Sequence, residues 1–537
     1  MFDLLLKNAF VMDGSGKPGF PGDIGVRDGL IEAVAPRLEG SAVRTVDLQG
    51  RIAAPGFLDI HRHADAAVFR PGFGEAELRQ GITTIVNGNC GMSIAPLPAA
   101  RRDEMLRFLA PVTGSLPEEI RFETFSEYRA LLESRPLPLN FAMLAGSGAM
   151  RAAAAGYGRP GAEAVPGIPD SDTLKKIRGY LEDALSAGAL GASAGLSYLP
   201  DIYYSAAGLA AALAPLGGAG LPLVCHVRGE GDLLYGSVGE AIETARLLGV
   251  PLRISHFKCI GRRNWGSLLE KTIALIERNR NGGMKIDCDF YPWTAGSTQM
   301  MCVLPPAFLE GGTAETVRRL RDPKERAACR DMLLKEGDDF ENIVAGVGWD
   351  RIFVSGVGSE KNSALTGKNI AGIAADRGID PFDAAFDLLV EENCNVTMVD
   401  YIACQEDIDR IASLPYASII SDSLYSEGGL PHPRTRTNTS MVFYDLVRRG
   451  VLSAGEAVHK LTGLPAEAMG IRRKGFLKTG CDADITVFSP ENISPPAAYT
   501  KPETLAAGFD YVFIAGQAVV EKDALTGAAP GRCVGRE

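Results

Sequence analysis

The sequence predicts an α/β protein in which a TIM-like (β/α)8 barrel is combined with a small β-sandwich domain built from both chain ends. Two observations predict this fold class. Eight short apolar runs alternate with helical stretches through the middle of the chain, and strand-like segments with Asp-Gly turns occur at both ends. We therefore assign residues 1–56 and 472–537 to the sandwich and residues 57–471 to the barrel.

Both chain ends have the pattern of small antiparallel β units. At the N-terminus, Asp-Gly turns and alternating apolar residues mark strand-like segments at residues 4–12, 23–27 and 30–35. The C-terminal tail has the same strand-like pattern at residues 482–488 and 510–520. We expect the two ends to pair into one domain.

The middle of the chain has the pattern of repeated βα units. Candidate core strands are residues 56–60, 82–87, 140–145, 189–193, 221–225, 251–255, 284–289 and 417–421. Apolar runs of this length separated by helical stretches are typical of a parallel sheet, and eight of them predict a closed barrel.

One interval between the predicted strands is too long for a single crossover. Between residues 289 and 417 the chain contains a charged helical stretch at 318–336 and strand-like runs at 351–355 and 396–399. We expect an insertion around residues 292–350 that covers part of the active site. The number of strands in this interval remains open.

Composition excludes several classes of protein. The net charge of −11 and the lack of a Lys/Arg run argue against nucleic acid as a partner, and no apolar stretch is long enough for a membrane span. The N-terminus lacks the pattern of a secretory signal. Ten cysteines form no regular framework, and Cys225 and Cys288 lie in apolar runs as core residues would. A reducing cytoplasm is the expected location.

Two histidines directly follow the first predicted strand. His61 and His63 flank Arg62, and alternate residues of a strand point to the same side, so both imidazoles would face one ion while Arg62 points away. Such a pair also occurs by chance. Its position favours a site, because functional residues of parallel α/β folds gather at the carboxyl ends of strands.

Other potential metal ligands follow the same rule. Cys90 comes after the second predicted strand, and the fifth, sixth and eighth strands are followed by His226, His256 and Asp422. Taken singly, Cys90 could be a buried thiol, the histidines could be hydrogen-bonded core residues, and Asp422 could cap a helix. Together with His61 and His63, they converge on one face of the barrel, and their donor atoms suit Zn²⁺.

A zinc site of this kind indicates hydrolysis. Bound Zn²⁺ with an open position polarises a carbonyl group and lowers the pKa of its water to about 7. Asp422 is placed to take a proton from that water and to return it to a leaving nitrogen.

Longer motifs extend this pattern along nearly the whole chain. They are Pro55-Gly-Phe-Leu-Asp-Ile-His-Arg-His63, Asn87-Gly-Asn-Cys-Gly91, His226-Val-Arg-Gly-Glu-Gly231, Ser255-His-Phe-Lys258, Asp289-Phe-Tyr-Pro292, Pro431-His-Pro-Arg434 and Gly480-Cys-Asp-Ala-Asp484. With these motifs the chain resembles the amidohydrolase superfamily and, within it, the D-aminoacylase (N-acyl-D-amino-acid deacylase) family. The Asn-Cys-Gly segment is the most specific, since most amidohydrolases use a carboxylated lysine or a glutamate in place of the cysteine.

The resemblance implies a function and a set of site residues. It implies zinc-dependent hydrolysis of N-acyl-D-amino acids, with Asp422 as general acid and base. It further implies one tightly held zinc on Cys90, His226 and His256, and a second, weaker metal position near His61 and His63. The α-carboxylate of a small-molecule substrate is expected to bind Lys258 and Tyr291.

The chain departs from the family pattern at two places. The family usually has a threonine where this chain has Arg62, and a Gly-Thr-Phe segment near residues 437–439, which here are Thr-Asn-Thr. The first change should leave the chemistry intact, because Arg62 is expected to point away from the metal. The second lies nearer the pocket and leaves the acyl group and side chain of the substrate open.

Several other polar residues need an assignment. We expect Arg228 and Glu230 to form an internal ion pair that orients the site. His432 and Arg434 are candidates for the pocket or for its support, and His459, within a helical pattern, is expected to be structural.

Two further functions remain as alternatives. A cyclic-amide hydrolase of the dihydroorotase or hydantoinase type would share the fold, but those enzymes commonly rely on a carboxylated lysine at the fourth strand, and residues 187–198 contain no lysine. A non-catalytic scaffold with this fold would be expected to lose ligands, whereas here every expected ligand position is filled. The oligomeric state is left open.

Overall fold

A computed structural model describes residues 1–158, 165–335, 340–426 and 428–536. Its strands are β1 (Phe2–Val11), β2 (Phe20–Arg27), β3 (Leu30–Ala35), β4 (Ala42–Asp47), β5 (Ile52–Pro55), β6 (Phe57–Asp59), β7 (Ile82–Asn87), β8 (Asn140–Met143), β9 (Ala145–Gly146), β10 (Ala192–Gly195), β11 (Leu223–His226), β12 (Leu252–Ile254), β13 (Ile286–Phe290), β14 (Ala295–Gln299), β15 (Ile352–Val357), β16 (Val396–Tyr401), β17 (Ala417–Ile419), β18 (Ile485–Phe488), β19 (Tyr511–Ile514), β20 (Gln517–Glu521) and β21 (Ala524–Leu525).

Helices follow most of the central strands. They are α1 (Glu75–Leu78), α2 (Arg102–Thr113), α3 (Phe125–Glu133), α4 (Ser147–Ala155), α5 (Ser171–Ser186), α6 (Ala206–Ala212), α7 (Ala214–Ala219), α8 (Leu234–Leu248), α9 (Ser267–Asn281), α10 (Pro306–Leu309), α11 (Thr313–Arg321), α12 (Pro323–Leu334), α13 (Ile343–Val347), α14 (Ile370–Arg377), α15 (Pro381–Glu391), α16 (Gln405–Ala412), α17 (Arg434–Met441), α18 (Ala454–Leu461) and α19 (Gly463–Ala468). None of the described helices has the length and apolar character needed to cross a bilayer.

The central strands form the predicted parallel barrel. Sheets β6-β7-β8 and β9-β10-β11-β12-β13-β17 follow each other around it, with a break only at Leu144 between β8 and β9. The barrel closes between its first and last strands, where the backbone N–H of Asp422 donates to the carbonyl of His61 (2.9 Å) and that of His63 donates to Ser423 (3.2 Å). Each of the eight predicted runs contains or overlaps a barrel strand, so the predicted fold class is confirmed.

The two chain ends share one nine-stranded sheet. Its order is β21-β20-β19-β18-β5-β1-β2-β3, and β4 also pairs with β1. The central junction is the antiparallel pair β5 and β18, which places Pro55 opposite Ile485. Alternating residues such as Leu6, Ile24 and Phe513 pack into a separate apolar core. The predicted β-sandwich made of both ends is therefore confirmed.

An aromatic cluster joins the barrel to this β domain. Phe57 in β6 packs against Phe443, Phe488 and Phe509, with ring centroids 5.9–6.0 Å from that of Phe57. All four rings are buried. Such a contact fixes the first barrel strand, and with it the histidines that follow, relative to the domain that precedes it.

The long interval between β13 and β17 contains a second, smaller sheet. Strands β14, β16 and β15 form an antiparallel sheet, and helices α10 to α16 belong to the same interval of the chain. This answers the open strand count: the runs near residues 352 and 396 belong to this added sheet and not to the barrel. The tail also contacts the barrel, because Phe141 in β8 accepts from Val534 and donates to Arg532 through its backbone.

Candidate active site

The structure brings all six predicted metal and proton-transfer residues to the carboxyl ends of the barrel strands. Every one of them is buried. They are His61 and His63 after β6, Cys90 after β7, His226 at the end of β11, His256 after β12 and Asp422 after β17. The carboxyl ends of parallel strands meet at one face, and this is why residues so distant in sequence become neighbours.

The Cys90 thiol lies at the centre of three imidazole rings. Its Sγ atom is 3.2 Å from Nε2 of His61, 3.5 Å from Nε2 of His256 and 3.8 Å from Nδ1 of His226. The nitrogens of His226 and His256 are themselves 2.7 Å apart. The three predicted ligands of the tight site are thus adjacent, and His61 lies closer to the sulfur than either of the other two histidines.

Asp422 lies beside the first histidine pair. Its Oδ1 atom is 3.5 Å from Nε2 of His61 and 3.4 Å from Nε2 of His63, and its Oδ2 atom is 2.9 Å from Nη2 of Arg434. Burial by itself raises the pKa of this carboxyl group, but Arg434 and the histidines hold it well below the ordinary value. Asp422 is therefore an ionised carboxylate that can accept a proton.

Three of these residues have left-handed backbone conformations. The φ angles are +53° for Cys90, +33° for His256 and +51° for Asp422. Non-glycine residues rarely adopt positive φ, and such positions concentrate at functional sites. The next residue after Cys90 is Gly91, whose N–H donates to Ser193 Oγ (3.0 Å) and where a Cβ atom would lie 2.6 Å from Asp201. Gly91 therefore permits the tight turn that presents the thiol.

The protonation of the site suits a divalent cation. Burial lowers the pKa of His226 and of His256 well below the usual range, so both rings are neutral and each keeps a free lone pair. Burial and nearby carboxylates raise the pKa of the Cys90 thiol, which a bound cation would reverse. The donor atoms of His61, Cys90 and His256 lie within 4.8 Å of one another, as do those of His61, His63 and Asp422. This donor set fits zinc.

Glu230 links the predicted substrate-binding residue Lys258 to the candidate metal ligand His256. Its Oε1 atom accepts from Nζ of Lys258 (2.5 Å) and lies 2.9 Å from Nδ1 of His256. Lys258 also lies 5.7 Å from the ring centre of Tyr291. Lys258 and Tyr291 are thus neighbours beside the cluster.

The expected ion pair between Arg228 and Glu230 is wrong. Arg228 donates to Glu240 in α8 through Nε (2.9 Å) and Nη2 (2.8 Å), and it also binds backbone carbonyls of the β10–α6 connection. The side chains of Arg228 and Glu230 therefore bind different partners: Arg228 binds Glu240, and Glu230 binds Lys258 and His256. Glu230 orients His256, a supporting role of the kind that carboxylates commonly have beside histidine ligands.

The structure also shows the surroundings of the other polar residues that the sequence analysis considers. Arg62 points away from it, as predicted, and pairs with Glu77 (2.9 Å). His432 lies 3.1 Å from the carbonyl oxygen of Ala295 and packs on Trp293, next to Arg434. His459 contacts the carbonyl of Gly14 (2.8 Å), which agrees with the structural role expected for it.

A cavity of about 300 Å³ lies beside the candidate metal ligands. It is lined by the candidate metal and proton-transfer residues His63, Cys90, His226, His256 and Asp422, together with Lys258 and Tyr291. The walls are largely apolar and include Met92, Val112, Ile202, Leu233, Leu304 and Leu309. Two acidic residues that the sequence did not single out, Glu341 and Asp400, also line it. Both come from the interval between β13 and β17, where no motif marks them.

Comparison with known proteins relates this site to characterised relatives. The profile described as "Amidohydrolase family" matches residues 44–520. A D-aminoacylase of Alcaligenes xylosoxydans xylosoxydans is 30% identical over 100% of this chain and 98% of its own length. An N-acyl-D-glutamate deacylase of the same organism is also 30% identical, over 100% and 97%.

Solved structures agree with the sequence matches. A crystal structure of D-aminoacylase superposes with a TM-score of 0.82 at 29% identity, covering 100% of both chains. The N-acyl-D-glutamate deacylase of Bordetella bronchiseptica, complexed with zinc and a phosphonate inhibitor, gives 0.81 at 27% identity, covering 99% of both chains. A D-hydantoinase gives 0.56 at only 15% identity, which shows a shared fold alone.

Proposed function

The chain belongs to the D-aminoacylase family of the amidohydrolases, and we propose that it hydrolyses the amide bond of N-acyl-D-amino acids, releasing a D-amino acid and a carboxylate. The observation that carries the proposal is the buried Cys90 thiol, 3.2–3.8 Å from the ring nitrogens of three histidines, with an ionised Asp422 beside them. The relatives named for D-aminoacylase and N-acyl-D-glutamate deacylase activity support the substrate class.

We propose zinc as the metal of this site. Cys90, His226 and His256 would hold one tightly bound ion, and His61 and His63 would contribute to a second, weaker position. A bound zinc ion supplies an electrophile for the amide carbonyl and an acidified water. The neutral rings of His226 and His256 and the mixed sulfur and nitrogen donors support this choice.

The proton transfers are assigned to Asp422. Because Arg434 keeps this carboxylate ionised, it can accept a proton from the attacking water. The protonated Asp422 then donates to the amide nitrogen as the C–N bond breaks, so that the D-amino acid leaves as a neutral amine. One carboxyl group serves both steps and ends in its starting state.

Lys258 and Tyr291 are assigned to the substrate's α-carboxylate. Lys258 lies next to the candidate metal ligand His256, and its Nζ atom is held there by Oε1 of Glu230 at 2.5 Å. Burial lowers the pKa of Lys258, but Glu230 and other acidic neighbours raise it overall, so this ammonium group remains charged. A charged ammonium and a phenol are suitable donors for a carboxylate.

We further propose that the division of the chain follows the sequence prediction. Residues 1–56 and 472–537 would form the β-sandwich domain, residues 57–471 the catalytic barrel, and an insertion around residues 292–350 would cover part of the active site. The shared sheet of both ends and the cavity-lining residues Leu304 and Leu309 support this division. The ten cysteines, all free thiols, are consistent with a reducing cytoplasm.

Hydrolysis assays on matched enantiomers test the proposed function. The full-length protein, loaded with zinc, would be given N-acetyl-D- and N-acetyl-L-amino acids with acidic, neutral and basic side chains, together with dihydroorotate and a hydantoin. We expect release of D-amino acids alone. Activity confined to the cyclic amides would assign a cyclic-amide hydrolase, and no activity on any compound would support a non-catalytic scaffold.

A further inference from the structure

We infer that the cavity selects N-acyl-D-amino acids with a cationic side chain over those with an acidic one, through the carboxylates of Asp400 and Glu341. The inference deepens the proposed function and rests on it. Sequence similarity does not decide the question, because the chain is about equally similar to relatives named D-aminoacylase, N-acyl-D-aspartate deacylase and N-acyl-D-glutamate deacylase, at 30%, 29% and 30% identity.

Asp400 is a buried carboxylate that faces the cavity. It lies in β16 and is only 3% exposed, and its Oδ1 atom has no hydrogen-bond partner within the described part of the chain. A buried acceptor without a partner is costly unless a ligand or water satisfies it. Asp400 therefore marks a place where a bound molecule would present a donor.

The location of Asp400 is next to the proposed carboxylate-binding residue Tyr291. Gly296 of β14 pairs with Asp400, and a Cβ atom on Gly296 would lie 2.9 Å from Oδ1 of Asp400 and 3.3 Å from the Tyr291 hydroxyl. Both groups thus border the same small space. A substrate whose α-carboxylate reaches Tyr291 would place its side chain within reach of Asp400.

The nearby cations are already paired with other carboxylates. Lys258 binds Glu230 (2.5 Å), Arg434 binds Asp422 (2.9 Å), and Arg228 binds Glu240 (2.8 Å). Among the described residues, none forms an ion pair with Asp400, and the charges of Lys258 and Arg434 act on it only from a longer distance. A cationic group of a ligand could therefore form a direct ion pair with Asp400 without displacing one formed by the described residues.

Glu341 adds a second carboxylate to the cavity wall. Its Oε2 atom accepts from the N–H of Gly231 (2.8 Å), and no lysine or arginine pairs with it among the described residues. Burial raises the pKa of Glu341 to about 7, and it raises that of Asp400 to about 6 although the charges of Lys258 and Arg434 lower it. A guanidinium or ammonium group would stabilise both carboxylates, whereas a substrate carboxylate would be repelled.

Competition between three substrates tests the selection. The values of kcat/KM for N-acetyl-D-arginine, N-acetyl-D-leucine and N-acetyl-D-glutamate would be measured on the zinc-loaded protein. We expect arginine to exceed glutamate by about 100-fold or more, because like charges at short range in a buried site discriminate strongly. A preference for glutamate, or equal values, would overturn the inference while leaving the deacylase activity in place.

Isosteric variants test which carboxylate causes the preference for a cationic side chain. Asp400→Asn should lower the arginine-to-leucine ratio about tenfold, and Glu341→Gln should lower it to a smaller extent. Asp376→Asn, which removes a carboxylate with 63% of its side chain exposed on α14, is the matched control and should leave the ratio unchanged. An unchanged ratio in both cavity variants would remove Asp400 and Glu341 from the selection.

A binding measurement keeps the inference separate from turnover. Calorimetric titration of the zinc-loaded Asp422→Asn variant with N-acetyl-D-arginine and N-acetyl-D-glutamate should show tighter binding of the arginine derivative. If no N-acyl-D-amino acid is hydrolysed by the wild-type protein, the proposed function fails, and this titration alone still decides the charge preference of the cavity. Equal affinities or tighter binding of the glutamate derivative would overturn it.

Discussion

Replacing Arg62 with methionine should destabilise the protein strongly while leaving its metal site in place. Arg62 is fully buried, and its guanidinium lies 2.9 Å from Glu77 and 3.3 Å from Asp59, whose side chains are 2% and 5% exposed. Methionine retains much of the apolar bulk but removes the positive charge. Glu77 and Asp59 would then remain as buried carboxylates without a cation.

The size of the effect follows from this burial. Removing one partner of a buried ion pair costs about 3–5 kcal/mol, because the other charge is left uncompensated. The hydroxyl of Tyr425 also donates to Glu77 (2.5 Å) and remains in the variant, so we expect a loss of about 3 kcal/mol, at the lower end. The exposed pair of Arg410 and Glu270, with side chains 38% and 53% exposed, should contribute only about 0–1 kcal/mol.

The assay compares the two arginines directly. Unfolding free energies of wild type, Arg62→Met and Arg410→Met would be measured by urea titration at fixed zinc concentration, with the zinc content of each folded variant determined in parallel. Adding Glu77→Gln to Arg62→Met should restore part of the loss, since it removes the stranded charge. If Arg62→Met is no more destabilising than Arg410→Met, the buried charges do not stabilise the fold as argued.

Three further predictions concern the metal, the proton transfers and pH. Cys90→Ala should abolish tight zinc binding in elemental analysis of the purified protein, whereas Cys329→Ala, a buried thiol of α12, should retain the metal. Asp422→Asn should keep its zinc but lose about two to four orders of magnitude in kcat, and preserved turnover would exclude Asp422 from the mechanism. Burial lowers the pKa of Lys460 to about 8 from 10.5, so the folded protein releases this proton before the unfolded chain does. The unfolding free energy of wild type relative to Lys460→Met should therefore rise by about 3 kcal/mol from pH 8 to 10.5, and a constant difference in urea titrations would contradict this.

The barrel strands could be predicted because their signal is local. A strand buried on both faces needs a short apolar run. The predicted second strand, residues 82–87, has the same bounds as β7. The fourth strand is predicted at residues 189–193, whereas β10 runs over Ala192–Gly195. The apolar segment begins earlier because residues 189–191 are buried in a connection that turns at Gly188 and Gly191, both with positive φ.

The partners of charged side chains could not be predicted in the same way. Arg228 and Glu230 are close in sequence, yet Arg228 binds Glu240 in the following helix and Glu230 binds Lys258 after the next strand. Both choices depend on how α8 packs and on where β12 ends. No sequence motif marks Asp400, because it reaches the cavity through the added β14-β16-β15 sheet, whose place beside the barrel depends on tertiary packing.

By itself, the sequence determined the existence of the eight barrel strands and the convergence of the residues that follow them, because the carboxyl ends of parallel strands must meet at one face. These residues are His61, His63, Cys90, His226, His256 and Asp422. Only the tertiary structure decided which cation neutralises which carboxylate and which side chains complete the cavity. Electrostatic pairing depends on distances of a few ångströms between elements far apart in the chain, and no local pattern records those distances.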